Sequence, residues 1–77
     1  MNVRLPTLGA KDVLRALERA GFFVVRSSGS HHYLIHRTDP TRRTVVPVHG
    51  ARDLPRGLLR AIIRQAGLST EEFRKLL

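Results

Sequence analysis

The sequence predicts an α+β fold in which a helix, a three-stranded antiparallel sheet and a second helix follow one another, with a short helix at the C-terminus. Three observations support it: an apolar stripe at helical spacing near the start, three short β-branched stretches separated by turn residues, and a second apolar stripe after Pro55. The helices should pack on one face of the sheet and leave the other open. At 77 residues, the chain forms a single domain, 1–77.

The first helix is predicted over residues 11–20. Its apolar stripe includes Val13 and Leu17, which repeat at helical spacing. Gly9 is the candidate N-cap, and Gly21 can supply the left-handed residue that often follows a helix.

Three strands are predicted over residues 22–26, 31–36 and 44–48, because each stretch is short and rich in aromatic or β-branched side chains. Residues 27–30 should form the turn between the first two strands. Pro47 has no N–H to donate to a neighbouring strand, so the third strand should lie at an edge of the sheet.

The second helix is the most strongly patterned element, with Pro55 in its first turn and Gly67 after its end. Its apolar stripe consists of Leu58, Leu59, Ile62, Ile63 and Ala66. Ser69 and Glu72 have the spacing of a capping box, which predicts a short third helix running to about Lys75.

The composition is strongly basic: 14 Lys and Arg face 6 Asp and Glu, for a formal net charge of +8. Such a charge favours nucleic acid as the partner, ahead of an anionic membrane and an acidic protein. Arginine outnumbers lysine twelve to two, and its planar guanidinium suits phosphate contacts, although GC-rich coding also favours arginine.

The sequence contains no cysteine, which excludes disulfides and thiolate metal sites and fits a reducing compartment. Residues 1–6 lack the features of a signal peptide, and no stretch approaches ~20 apolar residues. We therefore expect a cytoplasmic protein with no membrane segment.

Adjacent histidines, His31 and His32, follow the predicted turn, and strand alternation should point them to opposite faces. A metal site built from His31, His36 and His49 is disfavoured, because it would depend on few acids and no cysteine. Proton transfer is the better role for one imidazole, since histidine ordinarily titrates near neutrality. The alternative is that both histidines are structural, and alternation alone does not decide which one acts.

Three arginines, Arg56, Arg60 and Arg64, recur every fourth residue along the second helix. Like charges at this spacing destabilise an isolated helix by roughly 0.2–0.5 kcal/mol per pair, which an RNA backbone or an acidic partner would offset. A solvated helix face is the alternative.

A second group of arginines, Arg37, Arg42 and Arg43, surrounds the loop between strands two and three. Tyr33 is expected to be the only exposed aromatic residue, which is too little for a platform that stacks several bases. Nucleic-acid contacts should therefore be mostly to phosphate.

The sequence resembles the HicA family of toxins from bacterial type II toxin–antitoxin systems. The resemblance covers nearly the whole chain, and its landmarks are residues 12–17, 21–22, 29–32, 46–49 and 54–68. It implies a fold like that of double-stranded-RNA-binding domains, a ribonuclease that cleaves mRNA, and a HicB-type antitoxin as partner. The Gly-Ser-x-His pattern of the family assigns the catalytic role to His32, with Gly29 and Ser30 forming the turn that orients it.

Such an enzyme would need neither a metal ion nor a small-molecule cofactor, because His32 would take the proton of a ribose 2′-OH while basic residues stabilise the phosphate. His49 and Lys11 are auxiliary candidates for the general acid, and the sequence does not choose between them. The competing hypotheses are a non-catalytic module that binds double-stranded RNA and a module that binds an acidic protein.

Overall fold

The computed structural model describes residues 4–77. Residues 1–3, part of the stretch examined for a signal peptide, lie outside the described residues. The elements are α1 (Ala10–Arg19), β1 (Phe22–Ser28), β2 (His31–His36), β3 (Arg43–Pro47), α2 (Arg56–Gln65) and α3 (Thr70–Arg74). This order confirms the predicted α+β class and the α-β-β-β-α arrangement with a short C-terminal helix.

The first helix begins one residue before its predicted start, with Gly9 at the N-cap and no side-chain capping bond. Gly21 follows the helix at a φ of 98°, so the predicted left-handed residue is confirmed. Val13 and Leu17 are fully buried, which fixes the face that α1 turns toward the sheet.

The sheet has the strand order β1-β2-β3, and both pairings are antiparallel. The prediction that the first strand ends at Arg26 is wrong, because β1 continues to Ser28. A bulge between Val24 and Arg26 shifts the register, after which Ser27 and Ser28 still pair with β2.

The connection between β1 and β2 is therefore the two residues Gly29 and Ser30, rather than the predicted four. Gly29 has a φ of 59°, while no described non-glycine residue has a positive φ. A positive φ at the first of two loop residues is the requirement of a type II′ hairpin turn. β3 ends at Pro47 on the opposite edge of the sheet, which confirms the predicted edge position.

Both long helices cover one face of the sheet: α1 lies against β1 and β3, and α2 lies against β3 and α3. Leu34 of β2 and Val46 of β3 join the buried cluster beneath them. Thr44 is also buried on this face, and its Oγ1 donates to Oε1 of Gln65 at 2.8 Å. The predicted one-sided packing is confirmed.

The second helix starts at Arg56, with Pro55 as its N-cap and Gly67 following its end at a φ of 74°. The capping box of α3 is confirmed in both directions, since Ser69 Oγ accepts from the Glu72 N–H at 3.0 Å and the Glu72 carboxylate accepts from the Ser69 N–H at 2.8 Å. No helix within residues 4–77 has the length and apolar character needed to cross a membrane.

The residues before α1 pack into the core, which the sequence patterns did not predict. Leu5 and Leu8 are buried, and the Leu8 carbonyl accepts from the Leu54 N–H at 2.8 Å. Gly9 also pairs with Asp53 as an isolated antiparallel bridge. These contacts bring the start of α1 beside the loop between β3 and α2.

Candidate active site

His32 lies on the helix-covered face of the sheet, at the end next to the Gly29–Ser30 turn. It shares this face with Leu34, because residues two apart on a regular strand point the same way. Its cross-strand neighbours are Ser27 on β1 and Val46 on β3.

The imidazole of His32 is half-buried, and its Nδ1 is shielded from solvent with no hydrogen-bond partner among residues 4–77. The side chain as a whole is not fully buried, so part of the ring remains in reach of solvent. Buried polar atoms in folded proteins are usually satisfied, and an exception requires an explanation.

His31 is exposed and points to the opposite face, opposite Ser28 and Pro47. The predicted separation of the two imidazoles is confirmed by the register. His31 and His32 therefore do not face a common ligand.

The turn before His32 is held to β3 through its backbone. The Ser30 carbonyl accepts from the Val48 N–H at 2.7 Å, which extends the pairing of β2 and β3 by one bond beyond the strands. The Ser30 side chain has no hydrogen bond within the described residues, and a side chain on Gly29 would be strained by its positive φ.

A cleft of about 560 Å³ opens at this same end of the molecule, between the start of α1 and the β3–α2 loop. Its lining includes the auxiliary candidate Lys11, together with Arg15 one helical turn further along α1. Val48 lines the cleft as well as bonding Ser30, which connects the cleft to the turn. His49 is exposed directly after Val48.

Arg15 was missed by the sequence analysis, although its spacing of four residues from Lys11 was a usable signal. Its Nη1 lies 3.8 Å from Oδ1 of Asp12 in an exposed pair, which holds the guanidinium only weakly. Asp12 and Asp53 also line the cleft, so it carries two cations and two carboxylates.

The six arginines proposed to bind RNA fall into two groups. The anchored arginines, Arg42, Arg43 and Arg56, donate to backbone carbonyls: Arg42 to Ala66 at 2.8 Å, Arg43 to Pro40 at 3.0 Å and Arg56 to Leu5 at 2.9 Å. Arg42 is half-buried, and its guanidinium lies 5.5 Å from the ring centroid of Phe22. The bond to Ala66 links the C-terminal end of α2 to the residue that precedes β3.

The open arginines, Arg37, Arg60 and Arg64, are exposed and have no side-chain hydrogen bond or ion pair within residues 4–77. Arg60 and Arg64 border a depression beside Ser69. Arg37 follows the far end of β2, about 16 Å from His32 along the strand at the usual rise per residue. Arg37 therefore does not lie close to His32.

The open face of the sheet carries an apolar surface with basic residues at its margin. The expectation that Tyr33 is the only exposed aromatic residue is wrong, because Phe23 is exposed while Tyr33 is half-buried. The Arg26 guanidinium covers the Tyr33 ring at 4.3 Å from its centroid.

No group of three or more His, Cys, Asp or Glu side chains within residues 4–77 is arranged to hold a metal ion.

A family model described as the HicA toxin of bacterial toxin–antitoxin systems matches residues 10–68. The chain belongs to the HicA toxin family. A search of curated proteins finds no match.

The match identifies this HicA-family chain as a toxin and implies an antitoxin as its partner. The matched stretch begins at the first residue of α1 and ends just beyond α2, so it contains the hairpin turn, His32 and the cleft residues Lys11 and Arg15. The capping-box helix α3 lies after it.

Proposed function

We propose that this HicA-family toxin is an endoribonuclease that cleaves mRNA without a metal ion, with His32 as its general base, and that a HicB-type antitoxin neutralises it. The observation that carries the proposal is the state of His32. Its Nδ1 is buried and unpartnered among residues 4–77, and the cleft that carries Lys11 and Arg15 opens at the same end of the sheet.

The reaction begins when Nε2 of His32 takes the proton of a ribose 2′-OH. The freed oxygen attacks the adjacent phosphorus, the bond from phosphorus to the 5′ oxygen breaks, and that oxygen takes a proton as it leaves. The products are a 2′,3′-cyclic phosphate and a 5′-OH. DNA has no 2′-OH and would not be cut.

Negative charge accumulates on the phosphate oxygens during this step, and nearby cations lower its energy. Lys11 and Arg15 are the cations of the cleft at the His32 end, so we assign them to the reacting phosphate. His49 is the candidate donor to the leaving oxygen, because it follows Val48 at the same end. The open arginines contact phosphates further along the strand.

The test is incubation of the purified chain with RNA and with the matching DNA in EDTA, beside His32→Ala and the control His31→Ala. We expect the wild-type chain and His31→Ala to cut RNA with 2′,3′-cyclic phosphate ends and to leave DNA intact. His32→Ala should cut RNA at least about 100-fold more slowly, the low end of what general base catalysis contributes.

Equal cleavage by His32→Ala would refute the role of His32, and cleavage that requires added metal would refute the mechanism. Duplex RNA binding without cleavage, and without arrest of growth on expression, would instead support the non-catalytic RNA-binding alternative.

A further inference from the structure

The first strand leaves an unusual amount of apolar surface uncovered. Four large hydrophobic residues are exposed within residues 4–77, and three of them are consecutive on β1: Phe23 at 42%, Val24 at 38% and Val25 at 45%. The fourth, Leu77 at 44%, lies at the C-terminus. A concentrated apolar patch of this kind is typical of a contact site.

The exposed residues of β1 point to both faces of the sheet. Phe23 pairs with Ile35 on the open face, whereas Val24 pairs with the buried Leu34 on the helix-covered face and is nevertheless exposed. The helices therefore do not cover the outer margin of β1. An exposed strip that includes both faces belongs to a strand edge rather than to one face.

The two edges of the sheet differ. β1 has a strand neighbour on one side only among the described residues, and its seven residues include no proline and no charge before Arg26. β3 is shorter, ends in Pro47 and is packed against α2. Since proline and charge usually protect edge strands from pairing, β1 is the unprotected edge.

The charge of the sheet indicates which kind of partner pairs with the free edge of β1. None of the three strands contains an Asp or Glu, while Arg26 of β1 and Arg43 of β3 line a depression on the open face. With a formal net charge of +8, a second copy of this chain would be repelled. The complementary occupant is an acidic protein segment.

We propose that the antitoxin adds an extended strand with flanking acidic side chains to the free edge of β1. Backbone hydrogen bonds to the edge supply affinity, as in other cases of strand addition, and Phe23, Val24 and Val25 provide the apolar contacts. This inference rests on the proposed function for the identity of the partner. Because Ser27 pairs with His32, the added strand passes about 10 Å from the backbone of His32, two strand spacings away.

The probe is the antitoxin that restores growth to cells expressing the chain, purified and titrated against the chain by calorimetry. Val24→Lys and Val25→Lys place a charge on opposite faces of the edge, and each should weaken binding at least about tenfold, as for buried interface residues. Val25→Glu should weaken it more than Val25→Lys, because the partner is acidic. Leu77→Lys is the matched control, equally exposed but outside the three strands, and should bind like the wild type.

Hydrogen exchange of the wild-type chain provides a second readout that needs no variant. The outward-facing amides of β1 should exchange rapidly in the free chain and become protected in the complex, which side-chain contacts alone would not cause. Circular dichroism confirms that each variant is folded.

Unchanged binding by both β1 lysine variants, or unprotected β1 amides in the complex, would overturn the proposal. Val45 of β3 pairs with Tyr33 on the open face. Weakening by Val25→Lys and Val45→Lys with no effect of Val24→Lys would place the antitoxin on the open face instead. A dimer of the free chain that Val24→Lys dissociates would make the occupant a second copy. RNA cleavage by the free chain is measured separately, so an inactive toxin and a misplaced interface give different results.

Discussion

Two histidines on the same face of β2 differ in their hydrogen bonding. His36 accepts the Thr38 N–H at Nδ1 at 3.2 Å, so its Nε2 carries the proton and donates to the Ala20 carbonyl at 3.0 Å. Its ring also meets Phe22 edge-on, with centroids 5.1 Å apart. His32, four residues earlier and also half-buried, has no partner at Nδ1 among residues 4–77.

His32 and His36 share residue type and intermediate burial, so they differ in hydrogen bonding alone. Through its bond to Ala20, His36 links the C-cap of α1 to the end of β2, and the two bonds fix its tautomer. His32 bears the cost of an unsatisfied atom, and such costs are often tolerated at functional sites.

The largest expected effect is that of His32→Leu, which should have opposite consequences for activity and stability. RNA cleavage should fall at least about 100-fold, because the proposed general base is lost. The free energy of unfolding should rise by about 1 kcal/mol, since a buried unsatisfied nitrogen is replaced by an apolar group. Initial cleavage rates and urea unfolding measure the two quantities, and a marked loss of stability would contradict the contrast between the histidines.

His36→Leu should reverse this pattern. It removes the bonds to Ala20 and Thr38, so the free energy of unfolding should fall by about 1–2 kcal/mol. Cleavage per folded molecule should stay within about threefold of wild type, because His36 lies at the far end of β2 from the cleft. Loss of cleavage by a folded His36→Leu chain would show that the assignment of roles is wrong.

The arginines also divide by hydrogen bonding, into the anchored arginines that donate to backbone carbonyls and the open arginines that are exposed. Arg42→Ala should lower the free energy of unfolding by about 1–2 kcal/mol, because it removes the bond to Ala66 and the contact with Phe22. Arg64→Ala should leave stability within about 0.5 kcal/mol, since its side chain is exposed. It should instead weaken RNA binding and reduce the salt slope of binding by about 1. Thermal melting and filter binding in a salt series distinguish the two variants.

The smallest effect concerns Glu72, remote in sequence from both histidines and therefore a control for them. Hydrogen bonds from the backbone and side chain of Ser69 lower the pKa of Glu72 from its ordinary 4.5. A lowered folded-state pKa contributes stability that is complete above the unfolded pKa and is lost as pH falls through the folded pKa. In Glu72→Gln the melting temperature should therefore fall slightly less as the pH is lowered, while cleavage at neutral pH stays unchanged.

Most of the fold was predictable because local signals and tertiary packing agree. The stripe of α2, the positive φ of Gly21 and the Ser69–Glu72 capping box are properties of short segments, and the structure has them where they were predicted. The end of β1 was not predictable, because serines favour turns and the bulge that keeps Ser27 paired is set by contacts with β2. The burial of Leu5 and Leu8 also depends on a distant loop.

The site was only partly predictable. Strand alternation separated His31 from His32, and the family resemblance selected His32, but neither could show that one ring nitrogen is buried without a partner. The anchoring of Arg42 likewise follows from the proximity of the α2 C-terminus, which sequence spacing does not reveal.

Chemical rescue of His32→Ala tests the central claim most directly. The variant leaves space at a half-buried position that free imidazole can enter from solvent. In EDTA, added imidazole should restore RNA cleavage with 2′,3′-cyclic phosphate ends to His32→Ala, and should leave the rate of His36→Ala unchanged. Cleavage by His32→Ala at the wild-type rate without imidazole would contradict the account.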